Sequence, residues 1–397
     1  MRDHQRPVGL WVQAALGQAA WQGARLIMSY QTLAITGDAF FLGLQSSAFA
    51  LAGLLIALPT GRIADRFGSA VVRSAGLFIA LAGTAIALLF PVPVGLLTAA
   101  ILLGAGHIGL LVGQQCFAAR LTAAGKSDTA FGALTAAASM GQLFGPPLVT
   151  TFAAVSASTT HPNTTLGLLV CLGFLVLAIR SVLTMNGREK KMAPVKGTAT
   201  GKASIPVHAV MRVPGMWQSL VVSGAVLVSV DLLASFLPLW AVERGVPATV
   251  VGLLLASRAV FTVSSRFGMS RLLDVFGRQK VLTAAIGVAV IALGALPLAN
   301  QWWAFPLMCL IGVGLGLPQP LTMAWVVSLA PKRARGAALG LRMTSNRLAQ
   351  VSIPLAVGAV AGPAGVGAVF WSTAAFLAGA AALSMAARHK DEEPPTD

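Results

Sequence analysis

The chain has 397 residues, 56% of them hydrophobic and 10% charged, with a formal net charge of +16. Soluble domains carry about 25% charged residues, so this chain cannot cover a water-facing surface, whereas lipid can face apolar side chains directly. Its basic residues are scattered between apolar runs rather than gathered on one solvated face, which excludes a nucleic-acid partner.

A spanning helix needs about 20 predominantly apolar residues. Met1 to Pro7 is basic and precedes an apolar stretch, as in a signal peptide. The stretch runs on to Tyr30 and beyond with no clean cleavage site, so it reads as a first membrane helix over 9–35. Eleven more spans follow near 41–61, 70–90, 94–118, 131–155, 164–185, 214–240, 248–266, 279–298, 302–328, 336–360 and 365–387. The longest polar interval, Asn186 to Arg212, carries Arg188, Glu189, Lys190, Lys191, Lys196 and Lys202 and no apolar run. It divides the chain into an N-terminal six-helix bundle (1–187), a linker (188–212), a C-terminal six-helix bundle (213–390) and a tail (391–397).

Lysine and arginine set the orientation of such a chain. With the N-terminus in the cytoplasm, the cytoplasmic side holds Arg2, Arg6, Arg62, Arg66, Arg73, Arg120, Lys126, the linker, Arg266, Arg271, Arg278, Lys280, Lys332, Arg333, Arg335, Arg388 and Lys390, and the opposite loops hold Arg244 alone. This asymmetry supports an even number of spans and places both termini in the cytoplasm. Trp11, Trp217, Trp240, Trp302 and Trp303 fall near span ends, as an interfacial belt requires. Cys116, Cys171 and Cys309 lie inside apolar runs and match no zinc or redox spacing. They read as small buried residues, and neither a metal nor a cofactor is expected.

The two halves repeat. Gly61-Arg62-Ile63-Ala64-Asp65-Arg66-Phe67-Gly68 follows the second span, and Ser270-Arg271-Leu272-Leu273-Asp274-Val275-Phe276-Gly277-Arg278 follows the eighth. The Asp-x-x-Gly pattern thus recurs in the equivalent loop of each half, an arrangement known among membrane carriers built from parallel repeats. Gly61 to Gly68 resembles the G-x-x-x-D-R-x-G signature of the major facilitator superfamily, with Ser69 and Ala70 where the family usually has a basic pair. The later copy keeps trailing basic residues, Arg278 and Lys280. Gly141-Gln142-Leu143-Phe144-Gly145-Pro146 is similar to the family's G-x-x-x-G-P motif of exporting antiporters, although Pro147 follows it and the closing glycine pair is missing. An arginine within the fourth span, used by many proton-coupled drug exporters of the family, is absent, and His107 is the basic residue there.

The resemblance covers the whole chain. It implies twelve transmembrane helices in two pseudo-symmetric bundles around a central cavity, all-α, working as a monomer in a bacterial-type inner membrane. Spans one, four, seven, eight and eleven would border the cavity. Gly61, Asp65, Arg66, Gly68, Asp274, Gly277 and Arg278 become candidate gating residues, because a carboxylate beside a helix end and neighbouring arginines can hold one conformation closed. Gly141, Gly145 and Pro146 allow close helix approach and a bend.

Ionisable residues at bilayer depth are costly and are functional candidates. Here they are Arg25, His107, Asp231, Arg258, Arg342 and Arg347. At a rise of about 1.5 Å per residue, Arg25, Asp231 and Arg258 lie roughly 14–15 Å from the outer ends of their spans, and His107 and Arg347 near the middle of theirs. Arg342 lies nearer the cytoplasmic end, where its stem can snorkel. Three mid-depth arginines oppose one carboxylate, so the excess must face water or a ligand anion. Arginine binds carboxylate and phosphate in bidentate fashion. The solute is therefore expected to be a small anion, zwitterion or amphiphile, whereas a cation-drug exporter would want several buried acids. Arg25, Arg347, Asp231, Arg258, His107, Asn346 and Gln319 form the candidate solute site, with Asp231 and Arg258 at matching depth on consecutive spans as an expected pair. Gln45, Gln114, Gln115, Gln142 and Gln350 are polar neighbours that can serve as interhelical glue.

Gly125-Lys126-Ser127 is not a nucleotide loop, since Arg120 stands where the first glycine is required and no strand precedes it. Asn163-Thr164-Thr165 fits a glycosylation acceptor, a pattern common by chance. Without paired carboxylates or a nucleophile elbow, an enzyme is not expected. Energy must then come from a gradient. The expected function is proton-coupled export of an organic anion, zwitterion or amphiphile by alternating access, with protons or another ion as partner. Proton-coupled uptake of an organic anion and multidrug efflux antiport are the alternatives.

Overall fold

The computed structural model describes residues 8–122, 127–155, 160–191, 210–331 and 334–391. Arg2, Arg6, Gly125, Lys126, Lys196, Lys202, Lys332, Arg333 and most of the expected tail lie outside these. So do the side chains of Asp65, Arg120, Arg188, Lys190, Lys191, Arg335, Arg388 and Lys390.

The elements are α1 (Val8–Thr36), α2 (Ala39–Phe67), α3 (Ser69–Leu89), α4 (Pro93–Thr122), α5 (Ser127–Ala154), α6 (Thr164–Lys191), α7 (Met216–Glu243), α8 (Ala248–Phe267), α9 (Met269–Phe276), α10 (Arg278–Ala295) with a 3-10 turn (Leu296–Leu298), α11 (Gln301–Gly316), α12 (Pro318–Leu329) and α13 (Arg335–Asp391). Among the described residues there is no strand, and nine helical segments are long and apolar enough to cross a bilayer. Each of the twelve expected spans falls on helix apart from a residue or two at an end and Leu317 within the tenth. In lipid every backbone N–H and C=O must be satisfied within its own segment, and helices do this.

The helices overrun the apolar windows. The Gly61 to Phe67 stretch, expected as a loop, is the last two turns of α2, and its break is Gly68. Most of the second copy, from Ser270 to Phe276, lies on the short helix α9, with Gly277 as the break. Likewise α6 continues to Lys191, well into the expected linker. An apolar window measures bilayer thickness, whereas a helix continues into water until its backbone is redirected. Gly68 (φ 94, ψ 154) and Gly277 (φ 76, ψ 158) do this with the same conformation, one that side-chain-bearing residues rarely adopt. The expected tenth span is bent at Leu317, where Pro318 opens α12 without an N–H to donate. The expected last two spans merge into α13, which turns at Gly365 (φ 73, ψ 175).

Lipid tails are as apolar as leucine, so packing rather than water exclusion holds such helices together, and small residues permit it. A Cβ on Gly76 of α3 would stand 2.6 Å from the Leu110 nitrogen, and one on Gly106 of α4 would stand 2.6 Å from the Ala80 nitrogen. The α3–α4 crossing therefore needs glycine from both sides. On α5, a Cβ at Gly141 would meet the Ala15 carbonyl at 2.1 Å, and one at Gly145 the Ala19 Cα at 2.7 Å.

Contacts divide the chain into two compact units. One comprises Met1–Asp38, Ala48–Ala199 and Gly245–Ala256; the other comprises Ala39–Ser47, Thr200–Arg244 and Ser257–Asp397. In the first, the buried core runs through α1, α2, α3, α4, α5 and α6, with Ile27, Leu96, Val149, Leu168 and Cys171 fully covered. The start of α8 joins it, where a Cβ on Gly252 would reach Thr150 Oγ1 at 2.2 Å. In the second, the start of α2 packs on α13, where a Cβ on Gly43 would reach the Pro354 carbonyl at 2.3 Å. The second span and the eighth are repeat-related, and each begins against the opposite half of the sequence.

Candidate solute and gating sites

Arg25 is 7% exposed on α1 and lies over two aromatic rings of its own unit, Trp21 at 5.4 Å and Phe49 at 5.6 Å. Trp21 and Arg25 are four apart and so share a helix face. The Trp21 ring stacks on His107, with centroids 4.3 Å apart and planes within 8°, and meets Phe49 edge-on at 5.4 Å. His107 stands midway along α4. It faces the inside of the first unit, toward Ala80 of α3 and Leu175 of α6. Trp21 and Phe49 were not among the expected residues; their signal was the four-residue spacing from Trp21 to Arg25.

In the second unit, Asp231 of α7 accepts a hydrogen bond from Gln350 Nε2, and Gln350 Oε1 accepts from Arg347 Nη1 at 3.0 Å. Gln350 thereby links acid to base across α7 and α13. Sequence spacing placed Asn346, Arg347 and Gln350 on one stretch of helix but did not reveal that Gln350 joins Arg347 to Asp231. Arg258 (8% exposed), Asn346 (6%) and Gln350 (7%) are all buried. Gln319 is engaged lower on the same unit: its Oε1 accepts from Arg266 at 3.2 Å, and its carbonyl accepts from Arg342 at 3.3 Å. Arg342 also donates to Thr322 Oγ1 at 3.4 Å.

A third cluster was missed. Arg73, read from sequence as a topology marker, is fully buried and forms a 2.9 Å salt bridge with Glu189, a residue expected in the linker. Glu189 Oε1 accepts the Ser69 N–H at 2.9 Å, and its Oε2 accepts the Ser69 hydroxyl at 2.7 Å. Arg73 further donates to Asn186 Oδ1 at 2.7 Å and to the Gly113 carbonyl at 3.3 Å, and its guanidinium lies 4.8 Å above Phe117. Asn186 Nδ2 donates to Ser74 Oγ at 2.8 Å. The carboxylate of α6 thus caps the positive end of α3 immediately after Gly68. A charged interval next to an apolar window hides this, because only the overrun of α6 brings Glu189 to Ser69.

Of the candidate gating residues, Gly61 and Gly68 are half-buried, and Arg66 is exposed over the Phe67 ring at 5.1 Å. In the second copy Asp274, Gly277 and Arg278 are exposed, and Arg278 donates to Ser328 Oγ at 3.3 Å. Pro146 and Pro147 lie inside α5, and Thr150 Oγ1 donates to the Pro146 carbonyl at 2.9 Å. A cavity of about 440 Å³ lies in the second unit between α7 and α13, lined by apolar residues including Trp217, Leu220, Leu348 and Phe376. None of the candidate solute residues lines it. Among the described residues no cluster has the composition of a metal site.

A family model described as Major Facilitator Superfamily matches residues 10–250 and 220–397. No curated protein sequence matches the chain. Among solved structures, a point mutant of the nucleoside transporter NupG superposes with a TM-score of 0.82 at 13% identity, covering 96% of this chain and 99% of that one. A bacterial homologue of the human lysosomal transporter Spinster, inward-facing and occupied, gives 0.77 at 15% identity with 98% of each chain covered. A POT family transporter in complex with 5-aminolevulinic acid gives 0.76 at 14% identity, covering 98% and 96%. At these identities the likeness is one of fold.

Proposed function

The chain belongs to the major facilitator superfamily and is a multi-pass membrane transporter of a small molecule, and on that premise we propose that its solute is a small organic anion or zwitterion, moved with proton coupling by alternating access. The observation that carries this reading is the set of basic groups at mid-span. Arg25 and Arg258 are buried and Arg347 half-buried, with Asp231 as the carboxylate of the group. Planar carboxylates and phosphates match the guanidinium fork, and their charge complements that of a basic group held away from water. Arg25 and Arg347, one from each unit, each contact the solute during the cycle. Gln350 aims Arg347, and Asn346 and Gln319 add neutral hydrogen bonds. A bound anion that favours one arrangement of the halves shifts their equilibrium, as transport requires. Asp231 and Arg258 complete the site as a charge pair.

The gate is built from Gly61, Asp65, Arg66 and Gly68 and their repeat Asp274, Gly277 and Arg278. It lies on the cytoplasmic face of an inner membrane, with both termini on that side and one chain as the working unit. The Gly141 to Pro146 resemblance supports export. Uptake of the anion together with a proton is the second reading, and the stack of His107 on the ring that Arg25 covers favours it, because an imidazolium there and a bound anion reinforce each other. Thermal stabilisation of the purified protein by a panel of acids, cations and sugars tests the solute class. Stabilisation by carboxylates or phosphates is expected; stabilisation by cations alone refutes the reading. Counterflow in inside-out against right-side-out vesicles tests direction.

A further inference from the structure

We propose that His107 is the site of the coupling proton and that its charge reaches the solute site through the Trp21 indole, which His107 and Arg25 share. The inference rests on the reading of Arg25 as a solute contact. Three observations meet here. The His107 and Trp21 rings are parallel at 4.3 Å, close enough for the charge on one to act directly on the other. The Arg25 guanidinium lies 5.4 Å from the centroid of the same indole and 5.6 Å from Phe49. His107 also adjoins a void of about 10 Å³ lined by Gln18 and Gln114 among others. That volume is at the lower limit for one water, and the two amides and the imidazole give it enough polar partners. In this proposal the proton reaches His107 through this void.

The groups around the imidazole give the sign of the effect. The two voids that adjoin it are lined from α1 by Ala14, Gly17, Gln18, Ala20 and Trp21, from α3 by Ala80, from α4 by Leu103, Leu110, Leu111 and Gln114, and from α6 by Leu175. None of these is charged. Phe49 of α2 completes the aromatic group, and Arg25 is the charged group that shares it. When the imidazole takes a proton and becomes imidazolium, no other bond changes. A second cation is then placed on the ring that Arg25 occupies, where cations are held by the face of the π system. Two like charges disfavour each other, and an anion at Arg25 relieves both. Proton and anion therefore raise each other's affinity, reciprocally, which is the coupling that uptake of the anion together with a proton requires.

The test reads Trp21 itself. An imidazolium stacked on an indole quenches its emission, so tryptophan emission of the protein in nanodiscs is titrated from about pH 5 to 8, the range in which histidine changes charge. Subtracting the Trp21→Phe protein removes the other tryptophans. Quenching on acidification is expected in the native protein and absent in His107→Gln. His107→Phe keeps the stack without the proton and serves if His107→Gln does not fold. Arg25→Gln removes the neighbouring cation and should raise the quenching midpoint by about one to one and a half pH units, the effect of like charges roughly 8–10 Å apart at an effective dielectric near 20. Quenching that survives in both His107 variants, or a midpoint unmoved in Arg25→Gln, overturns the proposal. Benzoate, citrate and inorganic phosphate should each be compared with neutral benzamide on the native protein, and a raised midpoint with an anion is expected. If Arg25→Gln moves the midpoint and no anion does, the proton site stands and the anionic reading of the solute fails.

Discussion

Replacing Glu189 with alanine should destabilise the N-terminal unit more than most single changes elsewhere in it. The salt bridge it makes is buried on both sides, with the Arg73 side chain 0% and the Glu189 side chain 6% exposed. Removing one partner of a buried pair leaves a buried charge without its counterion and costs about 3–5 kcal/mol. Ser69 also loses an acceptor for its N–H and its hydroxyl, at about 1 kcal/mol for a cap of this kind. Asn186 and the Gly113 carbonyl still accept from Arg73, which keeps the total near the lower end of the range. The assay is thermal unfolding in detergent, following the exposure of buried Cys171 with a thiol-reactive dye. Glu189→Ala should lower the transition by several degrees. Arg73→Met combined with Glu189→Leu should recover much of that loss, because well-packed apolar residues often replace a buried pair at little cost. A Glu189→Ala protein that melts with the native one, or a double variant as unstable as the two single losses added together, refutes the reasoning.

Asp65→Asn should leave the protein folded and inserted but slow transport severely; unchanged turnover at equal expression removes Asp65 from the gate. Asp231→Asn should cost about 3 kcal/mol if its charge is paired in a dry site, and Arg258→Gln in the same chain should return part of it, so strictly additive losses in the double-mutant cycle would dissolve the pair. Gly145→Val should separate α1 from α5, since even a Cβ would stand 2.7 Å from the Ala19 Cα. Its expected signature is reduced folded yield, and native-like yield and melting would show that the crossing relaxes easily.

The rough placement of the helices was legible because bilayer thickness imposes one length on every apolar run. Helix ends were not, since Arg62, Asp65 and Arg66 continue α2 and the charged run to Lys191 continues α6. Where a helix passes out of lipid, polarity no longer reports its boundary; the change of backbone direction at Gly68 and Gly277 does. The repeat was visible in the two Asp-x-x-Gly stretches, and the matching backbone of those two glycines is its physical content. Charged positions within the apolar runs could be picked out from the sequence, and of these Arg25 and Arg258 are buried and Arg347 half-buried. Their partners could not, because Gln350 meets Asp231 across two helices far apart in sequence, and Trp21 reaches His107 from another span. Arg73 looked like one more basic residue at a membrane edge until the extension of α6 brought Glu189 against it.

That Arg25 and Arg347 receive an anionic solute is the central proposal. It is tested most directly by measuring, on one reconstituted preparation, the affinity of the transported acid and of its neutral amide for the native protein, Arg25→Gln and Arg347→Gln. Each substitution is expected to weaken binding of the acid by at least about tenfold, equivalent to roughly 1.4 kcal/mol, and to leave the amide nearly unchanged. Full affinity for the acid in both variants, or equal losses for acid and amide, would contradict it.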